Sequence, residues 1–75
     1  MTIAEAAQSV LRESGRVMTT SEIYDAIIRR DLYKFGAKNP RSVLSQAIRD
    51  RSDANPKAKQ VLFRMVSKGT YELVE

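Results

Sequence analysis

The chain has 75 residues, contains neither cysteine nor histidine, and carries a formal net charge of +4. The missing side chains exclude disulfides, thiolate metal ligands and histidine-based catalysis from these residues, and we expect no metal or other cofactor. The length predicts one small domain, monomeric when isolated. No apolar run approaches the roughly 20 residues that span a bilayer, and the N-terminus lacks the pattern of a signal peptide. We therefore expect an intracellular protein with no membrane partner.

The positive charge is concentrated in one stretch. Residues 34–68 contain nine of the 13 Lys and Arg residues but only two acids, Asp50 and Asp53, whereas residues 1–33 and 69–75 are each net negative. Such a concentration is typical of a surface that contacts a polyanion, most often nucleic acid. The alternative interpretation is a solvated basic face that keeps the protein soluble.

A capping box opens the first predicted helix. Thr2 can accept a hydrogen bond from the amide of Glu5, and the carboxylate of Glu5 can accept one from the amide of Thr2. Apolar residues at helical spacing then predict a helix over about residues 3–14, and Gly15 has the position of a left-handed C-terminal cap. Residues 16–19 are predicted to form an extended connector or one short strand.

The same signal opens the second helix. Thr19 and Glu22 repeat the capping box, which predicts a helix over about residues 20–31. Leu32 and Tyr33 are predicted to close its apolar end. Four apolar residues at helical spacing are predicted to form its buried face: Ile23, Tyr24, Ile27 and Ile28.

Asn39 and Pro40 predict the start of a third helix over about residues 40–51. Asparagine is a favoured N-cap, and proline at the first helical position loses no hydrogen bond. Turn-forming residues at 52–56 predict the end of this helix. Its buried stripe is predicted to consist of Val43, Leu44, Ala47 and Ile48.

A C-terminal β-hairpin is predicted over about residues 60–74. Residues 60–66 are rich in β-branched and aromatic side chains, residues 67–70 are a turn signal, and residues 71–75 alternate with period two. The predicted fold is mainly α, in the order helix, short strand, two helices and two strands. This is the order of a winged helix-turn-helix.

A set of core and turn residues follows the whole chain in a distinctive order: Thr2-Ile3, Ala6-Ala7, Val10-Leu11, Gly15, Glu22-Ile23-Tyr24, Ile27-Ile28, Leu32-Tyr33, Asn39-Pro40, Phe63, and Lys68-Gly69-Thr70-Tyr71 with Leu73. In this order and spacing the sequence resembles the HARE-HTH family, a winged-helix module of chromatin-associated proteins of the additional-sex-combs-like type and of bacterial restriction endonucleases. The resemblance implies a winged helix and, as in most members, a DNA-associated role, in transcription or in restriction and modification. A related domain in an RNA polymerase accessory subunit binds polymerase instead, so a protein-interaction adaptor remains the alternative.

The third predicted helix presents a polar face opposite its apolar stripe. At about 100° per residue, that face is predicted to contain no acid and to be formed by Ser42, Ser45, Gln46 and Arg49. A recognition helix offers such a face to the major groove, where glutamine can pair with adenine and arginine with guanine. These four residues are therefore candidates for reading bases, and an ordinary solvated face is the alternative.

Seven basic residues are candidates for phosphate contacts: Lys34, Lys38, Arg41, Lys57, Lys59, Arg64 and Lys68. Arg41 is predicted beside the backbone amides that open the third helix. The last four are assigned to the hairpin, with Lys68 at its tip. Such contacts position a protein on a duplex without reading its sequence. Each alone is equally compatible with a plain surface charge, and their accumulation favours contact.

Two further interpretations concern the loop and the chemistry. Tyr33, Lys34 and Phe35 interleave aromatic rings with a base, which favours either stacking on unpaired nucleotides or packing of the rings against the second helix. The sequence has no glycine-rich phosphate loop and no carboxylate pair with a base beside it, so an enzyme is not expected. The leading prediction is a module for double-stranded DNA, associated with the nucleoid in a prokaryote or located in the nucleus of a eukaryote.

Overall fold

Three helices and a three-stranded sheet form the fold. The structure is a computed structural model that describes residues 2–74. Its elements are α1 (Ile3–Ser14), β1 (Met18–Thr19), α2 (Thr20–Arg29), α3 (Pro40–Asp50), β2 (Phe63–Ser67) and β3 (Thr70–Leu73). The predicted winged helix-turn-helix is confirmed. Within the described residues, no helix has both the length and the apolar character to cross a membrane.

Both predicted capping boxes are present. The amide of Thr2 donates to Oε1 of Glu5 at 2.8 Å, and the amide of Glu5 donates to Oγ1 of Thr2 at 3.1 Å. Thr19 and Glu22 repeat these two bonds at 2.9 and 3.1 Å. The bonds from the threonine amides stabilise the carboxylate forms and hold the pKa of both glutamates below the ordinary 4.5. Gly15 ends α1 in the left-handed region, with φ of 64°.

α2 ends in a Schellman motif, two residues before the predicted end. The amide of Asp31 donates to the carbonyl of Ile28 at 3.1 Å, and the amide of Leu32 donates to that of Ile27 at 3.0 Å. Asp31 has a φ of 52° and is the one non-glycine residue with a positive φ in the part of the chain described. A position that usually takes glycine therefore holds an acid.

α3 begins at Pro40 as predicted, but the side chain of Asn39 makes no capping bond. Asn39 has a ψ of 77°, whereas the N-cap Thr2 has a ψ of 166°. The extended ψ directs a short side chain back to the first-turn amides, and Asn39 lacks it. The prediction of a side-chain cap at Asn39 was wrong.

The last strand of the described chain, β3, lies at the centre of the sheet. The strand order is β1-β3-β2, and both pairings are antiparallel. Tyr71 of β3 pairs with Met18 of β1 on one side and with Met65 of β2 on the other. The register shifts by one residue at Val66 before the turn, where Gly69 has a φ of 75°.

A buried serine joins α3 to β2. The side chain of Ser52 is 0% exposed. Its hydroxyl donates to the carbonyl of Arg49 at 2.9 Å and accepts from the amide of Ala54 at 3.2 Å. The sequence interpretation placed Ser52 in a turn and did not predict its burial.

Asp53 then covers the outer edge of β2. Its amide donates to the carbonyl of Phe63 at 3.1 Å, and its Oδ1 accepts from the amide of Met65 at 3.0 Å. The amide of Leu62 bonds to the carbonyl of Arg51. Because residues 60–62 contact the end of α3 in this way, β2 begins three residues later than predicted.

The hydrophobic core lies between the three helices and the inner face of the sheet. Its buried members are Ala6, Ala7, Val10, Leu11, Met18, Ile23, Ala26, Ile27, Leu44, Ile48, Phe63 and Tyr71. Two predicted core residues are wrong: Ile28 is 48% exposed and Val43 is 38% exposed. Each lies about 100° around its helix from a buried neighbour, Ile27 or Leu44, and therefore leaves the covered face.

Candidate nucleic-acid interface

The outward face of α3 presents polar side chains. Ser42, Gln46 and Arg49 are exposed, whereas Leu44 and Ile48 are buried on the opposite side against the other helices. Two turns of α3 thus offer hydroxyl, amide and guanidinium groups together. The predicted placement of these three candidates on one exposed face agrees with the structure.

Ser45 and Arg49 lie towards the edges of this face. Ser45 is half-buried, so it is less accessible than the other base-reading candidates. Burial raises the pKa of the Tyr71 hydroxyl, and the positive charge of Arg49 opposes that rise. Arg49 is therefore close enough to β3 for its charge to act there.

The outward face also contains an acid, contrary to the prediction. Asp50 is the last residue of α3 rather than part of a frayed end. Its Oδ1 accepts a hydrogen bond of 2.8 Å from Nε2 of Gln46. Residues four apart on a helix are neighbours, so the spacing of Gln46 and Asp50 was a signal that the sequence interpretation missed.

Arg41, at the start of α3, is directed towards α2. Its guanidinium lies 3.8 Å from Oδ1 of Asp25 and 5.3 Å from the ring centroid of Tyr24. All of these groups remain accessible, and an exposed ion pair of this kind contributes at most about 1 kcal/mol. Arg41 can leave this arrangement for a phosphate at little cost.

The loop between α2 and α3 is anchored by aromatic rings. The centroids of Tyr33 and Phe35 are 5.0 Å apart, and those of Tyr24 and Phe35 are 5.4 Å apart. These rings are partly buried against the core, which favours packing over stacking on nucleotides. Lys34 and Lys38 are exposed on the loop that the rings hold.

Two lysines assigned to the hairpin lie outside it. Lys57 and Lys59 belong to the segment between α3 and β2, because Asn55 starts turns there by accepting from the amides of Lys57 and Ala58 at 3.0 and 3.1 Å. Arg64 does lie on β2, where it forms an ion pair of 3.3 Å with its cross-strand partner on β3, Glu72.

Lys68 lies at the hairpin turn, as predicted. The turn is short, and the carbonyl of Gly69 accepts from the amide of Thr20 at 3.0 Å and from its hydroxyl at 3.4 Å. Because Thr20 opens α2, the wing is fastened to the first turn of that helix. Lys68 is therefore an exposed charge on a constrained backbone.

A family model described as the HTH domain of ASXL proteins and restriction endonucleases, HARE-HTH, matches residues 1–75. The chain belongs to the HARE-HTH family. No significant match was found among curated proteins or among solved structures. The polar outward face of α3, the N-terminus of α2 and the hairpin turn of this HARE-HTH chain are the parts that a winged helix-turn-helix uses on DNA.

Most of the cations near this surface are unpaired. Within residues 2–74, Arg49 and all five lysines form no ion pair with another described residue, whereas Arg41 and Arg64 do. In the same range, no group of three or more acidic side chains is arranged to hold a metal ion. The chemistry available is therefore hydrogen bonding and attraction of an anion.

Proposed function

We propose that this HARE-HTH chain is a non-catalytic module that binds double-stranded DNA and targets or regulates a process that acts on DNA. α3 enters the major groove through Ser42, Gln46 and Arg49. The observation that supports this most directly is the exposed polar face of α3 opposite the buried Leu44 and Ile48. A helix with one buried stripe and one hydrogen-bonding face fits the width of the groove.

Lysine contacts to phosphates supply most of the affinity. Lys34 and Lys38 precede α3, Lys68 lies at the hairpin turn, and Arg41 lies in the first turn of α3 beside free backbone amides. Neutralising phosphates releases counterions from the duplex. If about four phosphates are neutralised, the logarithm of the association constant falls with the logarithm of salt concentration at a slope of about −3.6.

A salt titration with matched variants tests the proposal. Lys34→Ala, Lys38→Ala and Lys68→Ala should each weaken binding to random and selected duplexes equally and reduce the slope by about 0.9. Arg12→Ala is the control, because Arg12 is exposed on α1 and, within residues 2–74, forms no ion pair. Binding that is unchanged between low and moderate salt would contradict the proposal.

A protein-interaction adaptor, with RNA polymerase or another protein as partner, is the second candidate. The exposed side chain of Ile28 favours it: with Met18 and Tyr24, Ile28 lines an open groove of about 500 Å³. Amide resonances followed during a titration with duplex DNA separate the two functions. Shifts confined to residues 38–49 and 66–70 support DNA binding, whereas unmoved resonances there favour the adaptor.

A further inference from the structure

The amide group of Gln46 is fixed by a carboxylate one helical turn further along. Nε2 of Gln46 donates a 2.8 Å hydrogen bond to Oδ1 of Asp50. An ionised carboxylate only accepts hydrogen bonds, so the amide nitrogen must face it and Oε1 must face away. Asp50 therefore sets which end of the amide is presented outwards.

The free part of this amide matches one base. An amide nitrogen carries two hydrogens, so Gln46 keeps one N–H donor and the acceptor Oε1 when Asp50 takes the other hydrogen. The major-groove edge of adenine offers the complementary N6–H donor and N7 acceptor. Guanine offers two acceptors there, O6 and N7, and one of them would oppose Oε1. The fixed amide is therefore complementary to adenine and not to guanine.

Val43 adds an apolar contact on the same face. Its side chain is 38% exposed, and it precedes Gln46 by three residues, about 4.5 Å along the helix axis. Successive base pairs are separated by a similar distance, about 3.4 Å. Thymine carries a methyl group on its major-groove edge, and cytosine does not. While Gln46 contacts adenine, Val43 is placed to cover a thymine methyl in the same or the adjacent base pair.

We propose that α3 recognises A·T pairs in the major groove through Gln46 on adenine and Val43 on the thymine methyl, with Asp50 as the positioning residue for Gln46. This preference rests on the DNA binding proposed above and adds a base specificity to it. The negative charge of Asp50 opposes attraction to phosphates. The Gln46–Asp50 pair thus lowers affinity for random DNA and raises discrimination between bases.

Modified duplexes test which groove is read. A preferred duplex is first selected from a random pool, and its A·T pairs are then replaced by G·C or by inosine·cytosine. Inosine·cytosine has the major-groove pattern of G·C but lacks the minor-groove amino group. We expect both replacements at the contacted pair to weaken binding by about 5- to 150-fold, the range for one bidentate contact. Replacing thymine by uracil removes only the methyl and should weaken binding about fourfold.

Three substitutions assign these effects to side chains, with circular dichroism as the check that each variant folds. Gln46→Ala should no longer respond to 7-deazaadenine, which lacks the N7 acceptor. Val43→Ala should no longer respond to uracil. Asp50→Ala should bind random DNA more tightly and yet lose the preference for A·T, whereas Asp50→Asn should retain it, because its Oδ1 still accepts from Gln46. A merely structural role of Asp50 would not produce these opposite changes.

The outcomes separate this proposal from the proposed function. If the preference for A·T survives the inosine·cytosine replacement, it arises from the minor groove or from duplex shape, and the proposal is overturned. Selection that yields no base preference, or an Asp50→Ala variant with an unchanged preference, also overturns it. In these cases salt-dependent binding leaves the proposed function intact. Failure to bind any duplex at low salt overturns the proposed function itself.

Discussion

Replacing Ser52 by alanine tests how α3 is held against the hairpin. The hydroxyl of Ser52 is fully buried and bonds to the carbonyl of Arg49 at 2.9 Å and to the amide of Ala54 at 3.2 Å. Alanine removes both bonds while leaving the packing almost unchanged. The variant therefore isolates the hydrogen bonds from the loss of apolar contacts.

The expected cost follows from what each partner retains. The carbonyl of Arg49 also accepts from the amide of Ser52 at 3.1 Å, so it stays satisfied. Ala54 is exposed, and water can reach its amide. Each bond then contributes near its ordinary net value, which gives a total loss of about 1–2 kcal/mol in the free energy of unfolding.

Thermal and urea denaturation followed by circular dichroism measure this loss. For a chain of this length the melting temperature should fall by about 4–16 °C. Ser21→Ala is the matched control, because Ser21 is exposed in the first turn of α2 and its change should stay within about 0.5 kcal/mol. If Ser52→Ala is as stable as the wild type, the buried hydroxyl does not hold the junction and the reasoning fails.

Two further predictions concern the helix ends. Asp31→Asn should raise the free energy of unfolding by about 0.3–1 kcal/mol in urea denaturation, because it removes a negative charge from the C-terminal end of α2 and keeps a side chain that tolerates a positive φ. An asparagine variant less stable than the wild type would contradict this, and Asp31→Ala should be destabilising. In acid, the lowered pKa values of Glu5 and Glu22 mean that their contribution to stability is present above about 4.5 and is lost as the pH falls through the folded-state values. The melting temperature of Glu22→Gln should therefore depend less on pH below 4.5 than that of the wild type, and equal dependence would exclude a role for the capping box.

The features predicted correctly from the sequence are those with local causes. The capping boxes at Thr2 and Thr19 depend on residues three apart, and Gly15 supplies a conformation that other residues avoid. The element order follows from these signals and from the hairpin turn. Such features require no knowledge of what packs against each helix.

The errors arise where tertiary contacts decide. Helical spacing alone does not tell how wide the covered face is, so Ile28 and Val43 were assigned to the core although neither is covered. The burial of Ser52 and the edge contact of Asp53 depend on where β2 returns to α3. In the candidate site, exposure of Gln46 was predicted, but its bond to Asp50 was not.

The position of β3 also constrains when the fold can form. β1, made early, and β2, made later, do not pair with each other, and both pair with β3. A ribosome-bound chain that ends before residue 70 therefore lacks the strand that completes the sheet, and the aromatic ring of Tyr71 is missing from its core. The helices of such a nascent chain expose their apolar faces until β3 emerges, and we expect cooperative folding only after that point.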